Sequence, residues 1–169
     1  MALPRTLKLM NVFLNGDSYY GIAKEAELPK LSSKLEDYRA GGMFTEVGIN
    51  LGIEKLELTH KYAGVDEHFY TGFAEAEISK EMIRFAGSYE RDDTGEVTPV
   101  EVLMRGRHQE IDGGNSKVGE IGETTIKSAL TYYKLTMGGK EIIEIDTLNT
   151  ILKVNGKDVY KKHREAIGL

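Results

Sequence analysis

Between Lys55 and Tyr62 the side chains change character at every residue. Leu56, Leu58, His60 and Tyr62 alternate with Lys55, Glu57, Thr59 and Lys61. Only an extended strand places successive residues on opposite faces, so this stretch has one buried face and one wet face. The same period runs through Thr98–Ile111, with Val100, Val102 and Met104 inward and Glu101, Arg105 and Arg107 outward. It recurs in Thr124–Met137, with Ile126, Ser128, Leu130 and Tyr132 on one side and Thr125, Lys127, Thr131 and Tyr133 on the other. Asn15-Gly16, Gly138-Gly139 and Asn155-Gly156 are tight hairpin signals between extended runs. Leu3–Leu14, Tyr19–Leu28, Val47–Tyr62, Glu81–Arg91, Lys140–Ile145 and Thr150–Val154 complete the predicted strands.

Helical spacing occurs twice. Asp66 is a suitable N-cap for a helix over Val65–Glu77, with Phe69, Tyr70, Phe73 and Ala74 on one face. Asp158 is placed to cap a short final helix that Gly168 stops. Many strands, two short helices and no αβ alternation define a mainly β fold, an antiparallel barrel or sandwich. The flanking helix is expected to plug an open end or cover a sheet. With no repeat and no linker, residues 1–169 are read as a single domain.

One segment stands apart. Leu28–Met43, LPKLSSKLEDYRAGGM, mixes Leu28, Leu31 and Leu35 with Lys30, Lys34, Glu36, Asp37 and Arg39. Pro29 and Ser32-Ser33 oppose a helix, and Gly41-Gly42 allow a bend. The expectation is a long, semi-ordered arm over residues 28–47 that orders against a partner. Leu31, Leu35, Tyr38 and Met43 would supply its buried part, and the charges its polar contacts.

LPKL followed by KLEDYRAGGM resembles the arm of the major tail tube proteins of contractile-tailed bacteriophages, a family that includes R-type bacteriocin tubes. LPRTLKLMNVFLNGDSYYG resembles that family's N-terminal strand pair, and INLGIEKLELTHKYAGVD the strand after its arm. LTYYKLTMGGKEIIEIDTLNTILKVNGKDVYKKHREAIGL resembles its C-terminal hairpin and helix. The likeness is weakest over Thr71–Val97. It implies a phage tail tube-like barrel with a flanking helix, six copies in a ring, and rings stacked into a tube inside a sheath. Tail sheath, tape measure and baseplate proteins would be the other partners. DNA would pass through the pore without specific binding. The tube would be assembled in the bacterial host cytoplasm and carried in the virion tail.

Charge and chemistry agree with a structural role. A net charge of -5 argues against a basic nucleic-acid face. Without cysteine there is no disulfide or thiolate metal site. No apolar run is long enough to span a bilayer, and a soluble protein made inside the cell is expected. Glu46, Glu54, Glu57, Asp66, Glu67, Glu75 and Glu77 crowd Phe44–Ser79, whereas Lys157, Lys161, Lys162 and Arg164 dominate the end. Such opposite patches can steer and register copies. Glu57, Glu90 and Glu101, on wet strand faces, are the candidate pore acids.

His60, His68, His108 and His163 are scattered, and Asp66-Glu67-His68 cannot face one ion from neighbouring helix positions. The glycines from Gly113 to Gly122 lack the strand–helix setting of a phosphate loop. No catalytic residue, cofactor or metal is therefore expected. Two alternatives stay open: the tube of a bacteriocin or other injection system, and a soluble β-barrel enzyme or ligand-binding module.

Overall fold

The computed structural model describes all of residues 1–169. In chain order it contains β1 (Arg5–Leu14), β2 (Asp17–Ser18), β3 (Ala23–Glu27), β4 (Ser33–Tyr38), β5 (Val47–Ile53) and β6 (Leu56–Ala63). Helix α1 (Glu67–Thr71) follows, then β7 (Glu81–Arg91), β8 (Val97–Asp112), β9 (Glu123–Met137) and β10 (Lys140–Asp146). The chain closes with β11 (Ile151–Val154), β12 (Lys157–Asp158) and α2 (Lys161–Ala166). Every strand pairing is antiparallel.

One sheet runs β12-β11-β10-β9-β8-β7-β1-β2, and β6 joins β9 with β3 on its far side. The sheet curls around one apolar core. Val12 and Leu14 of β1, Leu58 and Tyr62 of β6, Ile83 and Phe85 of β7, and Val102 and Met104 of β8 meet inside it. Their alternation with exposed residues is the period-two pattern made physical. No ladder joins β3 to β1, so the barrel stays open there. Asn15-Gly16, Gly138-Gly139 and Asn155-Gly156 all take positive φ at both residues, the geometry that matches strand twist in a two-residue turn.

Strand β9 is the branch point. Its first half pairs with β6, from Glu123 opposite Ala63 to Leu130 opposite Leu56. From Tyr132 onward it pairs with β10 instead. On the β8 side, Arg105 faces Tyr132 while Gly106 faces Leu130, which leaves Thr131 as the extra residue of a bulge. The bulge reverses the inward set: Ile126, Ser128 and Leu130 are buried, then Thr131 and Tyr133. The expected faces of Tyr132 and Tyr133 are thereby exchanged. Tyr133 lies in the core, and the Tyr132 hydroxyl donates to Glu144 at 3.2 Å on the outer face. Burial and the neighbouring Glu144 push the Tyr132 phenol up to about 12.

Other boundaries also differ from expectation. Val47–Tyr62 is two strands, broken at Glu54-Lys55, and its halves belong to different sheets. Tyr19–Leu28 shrinks to β3, because Tyr19 turns into the core and Tyr20-Gly21 form a turn. The helix expected over Val65–Glu77 is one turn long. Asp66 does cap it, accepting from the His68 amide at 2.8 Å. Phe69 is fully buried, stacked on Tyr62 with ring centroids 4.6 Å apart, and closes one end of the barrel. Beyond Thr71 the chain leaves the helix to bridge β8, Phe73 pairing with His108. Gly72 makes that approach possible: a Cβ there would sit 2.8 Å from Glu81 Oε1 and 2.9 Å from His108 Cδ2. Phe73 and Tyr70 are accordingly exposed rather than core. Asp158 does not cap α2. Its carboxylate instead takes the Arg164 guanidinium in a two-point pair, and Arg164 also donates to the Thr150 carbonyl at 2.8 Å.

Candidate assembly surfaces

The arm is a β-hairpin, not a semi-ordered excursion. Strands β4 and β5 pair only with each other, Tyr38 opposite Val47, Glu36 opposite Ile49 and Leu35 opposite Asn50. The tip turns at Gly41-Gly42, where Gly42 has φ 92° and the Met43 amide donates to the Ala40 carbonyl. Tyr38, Val47 and Ile49 share one face, and Leu35 lies on the other over Gly48. The register shifts between Ser33 and Leu35, opposite Gly52 at φ 117°, which carries Ile53 to Leu35's side. Leu35, Tyr38, Phe44, Val47, Ile49, Leu51 and Ile53 are between 40 and 94 % exposed. A two-stranded ribbon that buries none of its large apolar side chains is unfinished on its own.

The structure brings most of the expected arm residues together on this hairpin. Lys34, Leu35, Glu36, Asp37 and Tyr38 are on β4, and Arg39, Gly41, Gly42 and Met43 form the tip, where Arg39 donates to the Met43 carbonyl. Lys30 and Leu31 lie before it, at the base. There Leu31 and Ile53 line a groove with Leu56, Ile143, Leu152 and Val154. The sequence reading missed β5 as part of the arm. Its signal was present in VGINLGI, whose period-two spacing was absorbed into the following strand.

The candidate pore acids share the outer face of one run of paired strands, β7-β8-β9-β6: Glu90 is on β7, Glu101 on β8 and Glu57 on β6. Two of them are matched by cations. Lys55 Nζ is 2.9 Å from Glu57 and holds its carboxyl below the usual range, and Arg84 is 3.4 Å from Glu101. The same outer face carries Arg84 over the Phe13 ring at 3.9 Å.

The histidines are less scattered in space than in sequence. His60 and His108 lie in the core with ring centroids 5.9 Å apart, and Ser128 Oγ sits 3.1 Å from one ring and 2.9 Å from the other. His68 is exposed and paired with Asp66, which raises its pKa. Although Ser128, His108 and Glu81 echo a nucleophile, base and acid, Ser128 is 1 % exposed and no substrate can reach it. A concavity of about 850 Å³ opens at the barrel's other end, its lining including Leu28, Tyr89, Val97, Tyr133, Leu135 and Met137.

Burial lowers the His60 pKa from 6.5 to about 3. The folded protein therefore refuses a proton that the unfolded chain accepts below pH 6.5. Stability from this residue is fully present above that pH and falls as pH drops toward 3, by about 1.4 kcal/mol per pH unit. Urea unfolding at pH 7 and at pH 5.5 should show the loss, and His60→Gln should lessen the slope. An unchanged slope in the variant would mean that His60 is not held neutral.

This mainly antiparallel β fold is shared with chains of contractile injection systems. A chain from the sheath–tube complex of the extracellular contractile injection system PVC, in the extended state, superposes with a TM-score of 0.59 at 10% identity. It covers 79% of this chain and 91% of that one. The chain belongs to the phage tail tube protein FII family, whose profile matches residues 4–168. It is 51% identical to the tail tube protein of Escherichia phage P2 over the full length of both. It is 36% identical to the major tail tube protein of Serratia phage KSP20, covering 95% of this chain and 93% of that one. The family is structural, not enzymatic, and this chain is a tail tube protein, a component of the virion.

Proposed function

We propose that six copies of this chain close into a ring, that rings stack into the inner tube of a contractile tail, and that the β4–β5 hairpin is the stacking arm. The observation that carries this reading is the hairpin itself, apolar on both faces and, beyond its base at Ile53, left uncovered by its own chain. Removing that surface from water would supply a driving force of about 25 cal/mol per Å². Lys30, Lys34, Glu36, Asp37 and Arg39 would register the contact through polar pairs that weaken with salt. Leu31, Leu35, Tyr38 and Met43 would be buried, and Gly41 and Gly42 would shape the tip.

The open margins of β3 and β12 are unpaired strand edges, which pair with further strands wherever they can. A head-to-tail contact with a closing rotation makes a ring and removes that hazard. Glu57, Glu90 and Glu101 are proposed for the lumen. With Lys55 and Arg84 beside two of them, the lining would be nearly charge-matched, so that passing DNA is neither trapped by cations nor strongly repelled. The sheath would surround the tube, the baseplate would start it, and a tape measure would occupy it during assembly in the host cytoplasm.

Negative-stain microscopy of the purified protein tests the reading. Rings with sixfold end views, or smooth tubes, are expected as concentration rises. Strict monomers at every concentration, or rings of another order, would overturn it.

A further inference from the structure

Five buried side chains from four strands touch in series. Tyr62 Oη lies 2.6 Å from His60 Nδ1, His60 Nε2 lies 3.1 Å from Ser128 Oγ, and Ser128 Oγ lies 2.9 Å from His108 Nδ1. His108 Nε2 then faces Glu81 Oε2 at 3.6 Å, and Asn15 Nδ2 donates to that same oxygen at 2.6 Å. Only one polarity uses each hydrogen once. Tyr62 donates to His60, His60 Nε2–H to Ser128, Ser128 to His108 Nδ1, and His108 Nε2–H points at the Glu81 carboxylate. Both imidazoles are then neutral Nε2–H tautomers.

The segment that rests on this chain is the one after α1. Gly72 packs directly against Glu81 and His108, and Phe73 bridges the His108 backbone. Beyond them Glu77 and Ile78 are exposed; Lys80 pairs with Glu75 inside the stretch, and Ser79 fastens it to the barrel again through Thr131 at 2.7 Å.

We propose that this directed chain is an acid-sensitive latch, holding Gly72–Lys80 on the barrel at neutral pH and releasing it when one more proton enters. A proton taken from water by His108 Nδ1 aims a second N–H at Ser128 Oγ, already the acceptor of His60 Nε2–H. The Ser128 hydrogen loses its acceptor. Letting it turn to His60 instead moves the proton to His60 Nδ1 and strands the Tyr62 hydroxyl. Either way one buried donor is orphaned, a situation folded proteins avoid. Opening the Gly72–Lys80 flap admits water and relieves it.

The groups facing the chain are Glu81 from β7, the two imidazoles from β6 and β8, and Tyr62 and Tyr19 on the far side. Burial lowers both histidines, but Glu81 partly opposes this at His108, so His108 takes the proton first. His68 works the other way. Asp66 raises its pKa, so acid strengthens the cap of α1.

Amide hydrogen exchange of the purified protein at pH 8 and pH 5, corrected for intrinsic rates, tests the latch. The Phe73 amide, which donates to the Tyr70 carbonyl, should lose protection tenfold or more while the centres of β8 and β9 keep theirs. His108→Gln, which stays neutral, should abolish that change, and His68→Asn should not affect it. Imidazole nitrogen NMR of the unaltered protein reads the chain even if His108→Gln fails to fold. Nε2–H tautomers for His60 and His108 at pH 8, with His108 titrating first, are expected. An Nδ1–H tautomer at either ring, or equal protection of the Phe73 amide at both pH values, would overturn the proposal.

Discussion

Gly106→Ala is expected to leave little folded protein. A Cβ at this position would lie 2.0 Å from the Ala129 carbonyl oxygen and 2.9 Å from Leu130 Cα. All of those atoms are backbone, in the middle of the ladder between the two longest strands, so no side chain can swing aside. The clash must be relieved by parting β8 from β9 at the bulge, where β9 also changes partner from β6 to β10. Overpacking in a well-packed core costs about 1–3 kcal/mol, and a collision with fixed main chain belongs at or above the top of that range. That is a large share of a stability of about 5–15 kcal/mol. Soluble yield and urea midpoint give the measurement. Gly41→Ala is the control: a Cβ there meets nothing within 4 Å, and its midpoint should match the parent's. A Gly106→Ala protein as stable as the parent would mean that the β8–β9 bulge is not built as described.

The second large effect is on assembly rather than folding. Lysine at both Ile49 and Leu51 is expected to abolish tubes while leaving the subunit's melting curve almost unchanged. Neither side chain belongs to the core, and both are about half exposed. Lysine at 49 would stand opposite Glu36, an oppositely charged cross-strand pair that helps to keep the hairpin formed. In a stacked tube the same ammonium groups would have to be desolvated in an apolar contact, at a cost of several kcal/mol each. Surface substitutions of this kind otherwise change stability by about 0.5 kcal/mol or less. Sedimentation and negative-stain microscopy should find folded protein and no tubes, whereas tubes of normal length would assign the hairpin some other task.

Much of the architecture could be read from the chain. The alternation in Lys55–Tyr62 and Thr98–Ile111 named the buried faces correctly, and the Asn-Gly and Gly-Gly turns fell where they were expected. Asp66 was recognisable as an N-cap because capping depends on residues within one turn. The family likeness in LPKL and KLEDYRAGGM pointed to a tail tube, and the P2 and KSP20 relatives agree. The failures share a cause. The α1 pattern promised three turns, but pairing of Phe73 with β8 ended the helix after one. The face of Tyr132 was misjudged because a single extra residue at Thr131 reverses all that follow. Leu28–Met43 promised a semi-ordered arm, yet Ser33–Tyr38 extended to pair with Val47–Ile53.

Local spacing thus determined which residues are apolar partners, which turns are tight and that the protein is built from antiparallel strands. Only the tertiary structure decided where strands end, which hairpin stands clear of the core, and that His60, Ser128 and His108 meet. The physical reason is that side-chain period records orientation along one strand. Partner choice, bulge position and burial depend on free energies shared between segments far apart in the chain.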